Sequence, residues 1–255
     1  MRKTGILLPI FFLVMVAESA GQVIQNLSES QKALLELNEQ GVIHATAQRY
    51  DEAIASIREA IRREPGFAGL YKNLATAYIN SGKPAEALEP LEQALKLEPA
   101  RGDLFFYLGV ANSELGRHLE AAKAYEHALR HGWRSAALYS NLGWSYFLNG
   151  NAKKALQPLK KAALLDPEDH KILNNLGVVY ASLGHFEEAA QTLRNALKLR
   201  PDLALTRFNL GWVYANRKDR KAALEQYSFL QVHAPELGRE LYKEIYRDFL
   251  IELKK

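Results

Sequence analysis

The sequence predicts an all-α protein built from six helix–turn–helix repeats, and three periodic series carry that prediction. Ala53, Ala87, Ala121, Ala155, Ala189 and Ala223 recur every 34 residues without a gap. Gly41, Gly109, Gly143, Gly177 and Gly211 keep the same period, with Ala75 standing in once. Pro65, Pro99, Pro167, Pro201 and Pro235 keep it too, with Trp133 in the missing place. Consecutive repeats in phase without an insertion mark an architecture in which each repeat buries its apolar face on the next, a single solenoid with a continuous core.

Within a repeat the residues predict two short amphipathic helices. Leu173, Leu176, Val179 and Tyr180 recur at helical spacing, and Ala189, Leu193, Ala196 and Leu197 do so after them. Gly184 supplies a left-handed residue that ends the first helix, and Pro201 stops the second. Glycine inside a helix costs about 1 kcal/mol relative to alanine. Its repeated use at one helical position therefore predicts a crossing helix that leaves no room for a Cβ. The alanine series plays the same part on the second helix, while Leu and Tyr positions fill the space between repeats.

A helix–turn–helix repeat of this length and pattern resembles the tetratricopeptide repeat (TPR) family. The places its pattern specifies are held in the fourth repeat by Tyr139, Leu142, Gly143, Tyr146, Gly150, Ala155, Leu159, Ala162 and Pro167. The resemblance covers 34–237, divided as 34–67, 68–101, 102–135, 136–169, 170–203 and 204–237. It implies a right-handed α-solenoid. Departures are local: Trp133 replaces the terminal Pro of the third repeat, Asn112 replaces its Tyr, and the outer repeats are degenerate at Gln48 and Lys218. Outer repeats face solvent on one side, so a weaker pattern is expected there.

The segments outside the repeats differ in kind. In residues 1–20, Arg2 and Lys3 precede an apolar run from Gly5 to Ala17, followed by Ser19 and Ala20. That is the order of a secretory signal peptide. Cleavage after Ser19 would leave Ala17 and Ser19 at the small-residue positions. An uncleaved membrane anchor through residues 5–17 is the other reading, although a spanning helix needs about 20 residues. Both place the repeats outside the cytoplasm, in the periplasm or secreted by bacterial-type export. No cysteine follows, which excludes a lipoprotein anchor. Residues 21–33 form a polar lead-in and the start of the first helix, with Ser28 and Gln31 spaced as a capping box. Residues 238–255 predict one more amphipathic helix, with Leu241, Ile245, Phe249 and Leu253 every four residues. It covers the apolar end of the last repeat or, in the sharper reading, docks on a partner.

Composition narrows the function. The formal charge of +4 is small for 255 residues, and basic and acidic residues alternate as on solvated helix faces. No basic block with interleaved aromatics is present, which argues against nucleic acid. Zero cysteines remove thiol nucleophiles and Cys-type zinc sites. Of the 7 histidines only His127 and His131 are four apart on one helix, a spacing that suits two metal ligands. No carboxylate completes that face locally, and three or four ligands are needed. Neither a nucleophile motif nor a phosphate loop occurs, so no catalytic residue, metal or cofactor is expected.

Binding remains, and the resemblance says where: in TPR superhelices the first helix of each repeat lines the concave face. Asn73, Asn141, Asn175 and Asn209 share one repeat position. They resemble the asparagine ladder of O-linked N-acetylglucosamine transferases, where Asn side chains grip the backbone of an extended peptide. An amide suits that task because it offers both donor and acceptor. Asn is also the family's commonest residue there, so a merely family-typical role stays open. Phe106, Trp144, Phe208 and Trp212 fall at concave positions, with Val110 and Val178 between them. Exposed aromatics mark interaction surfaces, and packing against the neighbouring repeat is the alternative. Lys72 and Lys171 add scattered positive charge. The carboxylate clamp of chaperone-binding co-chaperones is incomplete: Asn141 with Lys171 matches part of it, but Val110 and Phe106 stand where Asn and Lys are needed.

The expected function is a non-enzymatic scaffold outside the cytoplasm, holding an extended peptide or partner helix during assembly of an envelope or secretion complex. The alternative is a permanent accessory subunit of a membrane or secreted enzyme. A third reading is an enzyme acting through His127 and His131.

Overall fold

Thirteen α-helices and no strand make up residues 29–247, the part described by the computed structural model. The first helices of the repeats are α1 (Glu29–Thr46), α3 (Ala68–Asn80), α5 (Gly102–Glu114), α7 (Ala136–Leu148), α9 (His170–Ser182) and α11 (Ala204–Asn216). The second helices are α2 (Tyr50–Arg63), α4 (Leu88–Leu97), α6 (His118–Arg130), α8 (Ala152–Leu165), α10 (Phe186–Leu199) and α12 (Arg220–His233). A last helix, α13 (Pro235–Ile245), follows. The fold class is an all-α solenoid of helical repeats. The chain divides into an N-terminal body, Met1–Trp133, and a C-terminal body, Arg134–Lys255.

Small residues let the two helices of a repeat meet. All six alanines of the periodic series are 0% exposed. A Cβ added to Gly177 would fall 2.6 Å from Leu193 Cγ. One added to Gly143 would fall 2.6 Å from Leu159 Cγ and 3.0 Å from the Ala155 carbonyl oxygen. Helix α7 therefore meets the backbone of α8, and there is no space for a larger residue.

The joints follow from hydrogen bonding at the end of each first helix. Gly184 takes φ +79°, its N–H donates to Ala181 O at 3.0 Å, and the His185 N–H donates to Tyr180 O at 2.9 Å. Carbonyls left over by the helix end are thereby satisfied. Lys218 reproduces this joint at φ +61°, with Lys218 N–H to Ala215 O at 3.0 Å and Asp219 N–H to Tyr214 O at 2.9 Å. Gln48 does the same at φ +59°. The stacked repeats thus impose a left-handed residue even where glycine is missing.

Two repeats depart from the pattern. In the third, Gly132 at φ +81° ends α6, and the Trp133 N–H donates to Ala128 O at 3.0 Å, so no proline stop is needed. In the second, α4 begins only at Leu88, although the fourth repeat carries a proline at the same position, Pro158, inside a helix that starts at Ala152. A cleft of about 460 Å³ opens beside this segment.

Helix α13 starts with Pro235 in its first turn, where a missing N–H is harmless. Its Leu241 is fully buried against Gly211. Residues 1–28, which hold the expected signal segment and Ser28, lie outside the described residues, as do Phe249 and Leu253. No helix among the described residues is long and apolar enough to cross a membrane.

Candidate functional site

In the N-terminal body the expected groove residues are largely engaged. The Asn73 amide donates to Asn38 Oδ1 at 2.8 Å, joining α3 to α1. Lys72 Nζ donates to Asp103 Oδ2 at 3.2 Å, and Arg101 Nε holds the other oxygen at 2.9 Å. Burial pushes the Asp103 carboxyl up, but the Arg101 hydrogen bond and the Lys72 charge outweigh it and hold the group below its ordinary value. Phe106 is a correction. It is 5% exposed, packed against Tyr107 at 5.5 Å, Tyr125 at 5.8 Å and Trp133 at 6.3 Å, so it belongs to the core and offers no binding surface. Val110, the other position the clamp would need, is buried as well.

The C-terminal body is more open. Asn141 and Trp144 stand on α7, Lys171 and Asn175 on α9, and Phe208, Asn209 and Trp212 on α11. Lys171 is exposed and the other six are partly exposed. Asn209 Nδ2 donates to Asn174 Oδ1 at 3.0 Å, and Asn174 Nδ2 reaches Asn175 Oδ1 at 3.5 Å. The side-chain NH₂ groups of Asn141 and Asn175 meet no acceptor among the described residues. Trp144 stacks on Phe147 with ring centres 5.0 Å apart, and both rings keep a partly exposed side. Trp212 leans on Phe186 at 6.3 Å and joins the cluster around Leu193, Leu210 and Val213. Trp212 is thus half packing residue and half surface.

This arrangement presents open amides one helical turn from a flat aromatic pair, since Asn141 and Trp144 are three residues apart on α7. Open amides pair with a peptide backbone, and the indole takes up an apolar side chain. Phe147 and Asn174 were not singled out by sequence. Phe147 follows Trp144 by three residues, and Asn174 precedes the ladder position; helical spacing and the doubled Asn were the available signals.

His127 and His131 face a different task. The Phe105 ring stacks on His127 at 5.0 Å and on His131 at 5.1 Å. Partial burial and the neighbouring Arg130 and His131 push His127 below its ordinary value. Among the described residues no three metal-ligating side chains gather in one place.

A tetratricopeptide model described as the cilia and flagella-associated protein 70 C-terminal domain matches residues 14–200, and the tetratricopeptide repeat model matches 174–228. The chain belongs to this family of tetratricopeptide repeat domains. No curated protein sequence matches it. Among solved TPR structures, YrrB, a TPR protein with an unusual peptide-binding site, aligns at a TM-score of 0.65 with 25% identity, over 73% of this chain and 97% of that one. PilF of Pseudomonas aeruginosa aligns at 0.74 with 16% identity, over 85% and 100%. MamA of Desulfovibrio magneticus RS-1 aligns at 0.61 with 23% identity, over 68% and 96%. The last two similarities speak to the TPR fold alone.

Proposed function

We propose that this TPR chain is a non-enzymatic scaffold that holds an extended segment of a protein partner against the first helices of its C-terminal body. The observation that carries the reading is the open amide of Asn141 set one turn from the stacked Trp144 and Phe147. An extended segment leaves its backbone N–H and C=O groups free to pair, which is what open amides recognise. Asn175 and the unpaired Lys171 on α9 extend the same chemistry. Similarity to YrrB, described as having a peptide-binding site, supports a peptide as the ligand. The charged, apolar and small-residue order of residues 1–20 supports export, and with it a role in assembling an envelope or secretion complex.

Selection of binders from a random-peptide display library against the full chain tests the binding reading. Selected peptides should bind Trp144→Ala/Asn175→Ala/Trp212→Ala at least about tenfold more weakly by calorimetry, as truncation of anchor residues does. Equal affinity would move binding away from these helices. Export is tested by N-terminal sequencing of the protein recovered from the cell envelope. A chain beginning at Ala20 supports it, and an intact chain confined to the cytoplasm refutes it.

A further inference from the structure

Two second helices carry opposite charge along the same stripe. Around α4 the exposed residues include Glu86, Glu89 and Glu92, with the cation Lys96 one turn further on; on α8 the positions matching the three glutamates hold Lys154, Gln157 and Lys160, with Lys153 and Lys161 beside them. Among the described residues none of these glutamates or α8 lysines has an opposite charge within 4 Å. Lys154 instead lies 5.7 Å over the Tyr146 ring. Long unpaired runs of one sign repel internally, and each is relieved by a surface of the other sign.

The acidic run also has a shape. The cleft of about 460 Å³ that opens beside the shortened start of α4 is lined by apolar Ile61, Leu74 and Pro90 and by Glu86 and Glu89. Its other wall carries Arg58 and Arg62, but Arg58 donates to the Tyr78 hydroxyl at 2.5 Å and Arg62 is paired with Glu59. The tyrosine hydroxyl leaves the Arg58 charge in place, so the cleft has a basic wall and, on the other side, an acidic rim of Glu86 and Glu89. Helix α8 carries a matching projection: Leu164 is 74% exposed, one turn after Lys160 and Lys161. An apolar knob preceded by Lys160 and Lys161 fits an apolar cleft with Glu86 and Glu89 along one edge.

We propose that α8 of one copy of this chain docks in the α4 cleft of a second copy. Leu164 enters the cleft, and the lysines of α8 meet Glu86, Glu89 and Glu92. Two different patches meet, so the contact closes as a dimer if a two-fold axis forms it twice and otherwise propagates along a row of copies.

Sedimentation of the full chain against concentration and salt tests this. The average mass should rise with concentration in 50 mM salt and fall back toward one copy in 1 M salt, where the screening length shrinks to about 3 Å. Lys154→Glu/Lys160→Glu/Lys161→Glu leaves both patches acidic, and Glu86→Lys/Glu89→Lys/Glu92→Lys leaves both basic. Each variant alone should associate at least about tenfold more weakly, and their equimolar mixture should recover the parent's association. Leu164→Ala should weaken association without changing its salt dependence. All substituted residues are exposed, so the helical signal should be unchanged. A parent that stays single at about 100 μM, variants that associate like the parent, or a mixture that stays apart would overturn the proposal. Because both variants keep residues 1–28, association driven by the apolar N-terminal run would persist in them and count against it.

Discussion

Asn209 donates its side-chain amide to Asn174 at 3.0 Å, and Asn73 does the same to Asn38 at 2.8 Å. In both cases the bond links the first helices of consecutive repeats. These two ladder residues act as struts, whereas Asn141 keeps its amide hydrogens open. Asn209→Ala should lower stability by about 1 kcal/mol, the usual net worth of one hydrogen bond. Asn141→Ala should leave stability within about 0.5 kcal/mol, as surface changes do. Urea unfolding of the two variants separates the roles; equal losses would remove the distinction.

Lys218 holds φ +61° and Gln48 holds φ +59° at the joint where Gly82, Gly116, Gly150 and Gly184 stand in the other repeats. A left-handed backbone disfavours any residue with a Cβ by roughly 1–2 kcal/mol. Part of that returns as unfolded-state entropy when glycine is introduced. Lys218→Gly and Gln48→Gly should each stabilise the chain by about 0.5–1 kcal/mol, raising the melting temperature. A fall in melting temperature would show that the side chains contribute more than the backbone strain.

Packing at the helix crossing gives a prediction of opposite sign. Gly143→Ala gains about 1 kcal/mol of helix propensity, yet its Cβ meets the Ala155 carbonyl oxygen at 3.0 Å as well as Leu159. Backbone yields less readily than a side chain, so a net loss is expected. Ala155→Leu, at a position with 0% exposure, should lose roughly 1–3 kcal/mol through overpacking. Calorimetric melting checks both, and an unchanged transition in either would contradict close contact between α7 and α8.

Asp103 makes the N-terminal body sensitive to acid. Burial opposes its ionisation, but Arg101 and Lys72 together hold it below the ordinary value of 3.8. A carboxyl whose folded pKa is depressed binds its proton more weakly when folded. Its pairing therefore stabilises the fold above about pH 3.8 and is lost as the pH falls below that. Asp103→Asn should lower the urea midpoint at pH 7 and flatten the fall in stability below pH 4. A parent and variant with parallel acid limbs would refute the assignment.

The fold was legible because small residues recur at one spacing, and the crossings at Gly143, Gly177 and the alanine series are what that spacing encodes. The candidate site was legible only in part. Phe106 and Phe208 share a repeat position, yet Phe106 is buried and Phe208 is partly exposed. The difference lies in a neighbour: Trp133 stands where other repeats place proline, and its ring covers Phe106. The asparagine struts escaped for another reason. A reading by period compares residues 34 apart, whereas these bonds join residues 35 apart, at adjacent positions of successive repeats.

The most direct test of a scaffold that binds through the first helices of its C-terminal body is site-specific photocrosslinking in cells that carry the protein. A photoreactive phenylalanine analogue at Phe208 or Phe147 should form a covalent adduct with one discrete protein, and the same analogue at exposed Gln191 on α10 should not. Adducts arising only from Gln191, or none from Phe208 and Phe147 while Gln191 reacts, would contradict the account and place the partner on the second helices.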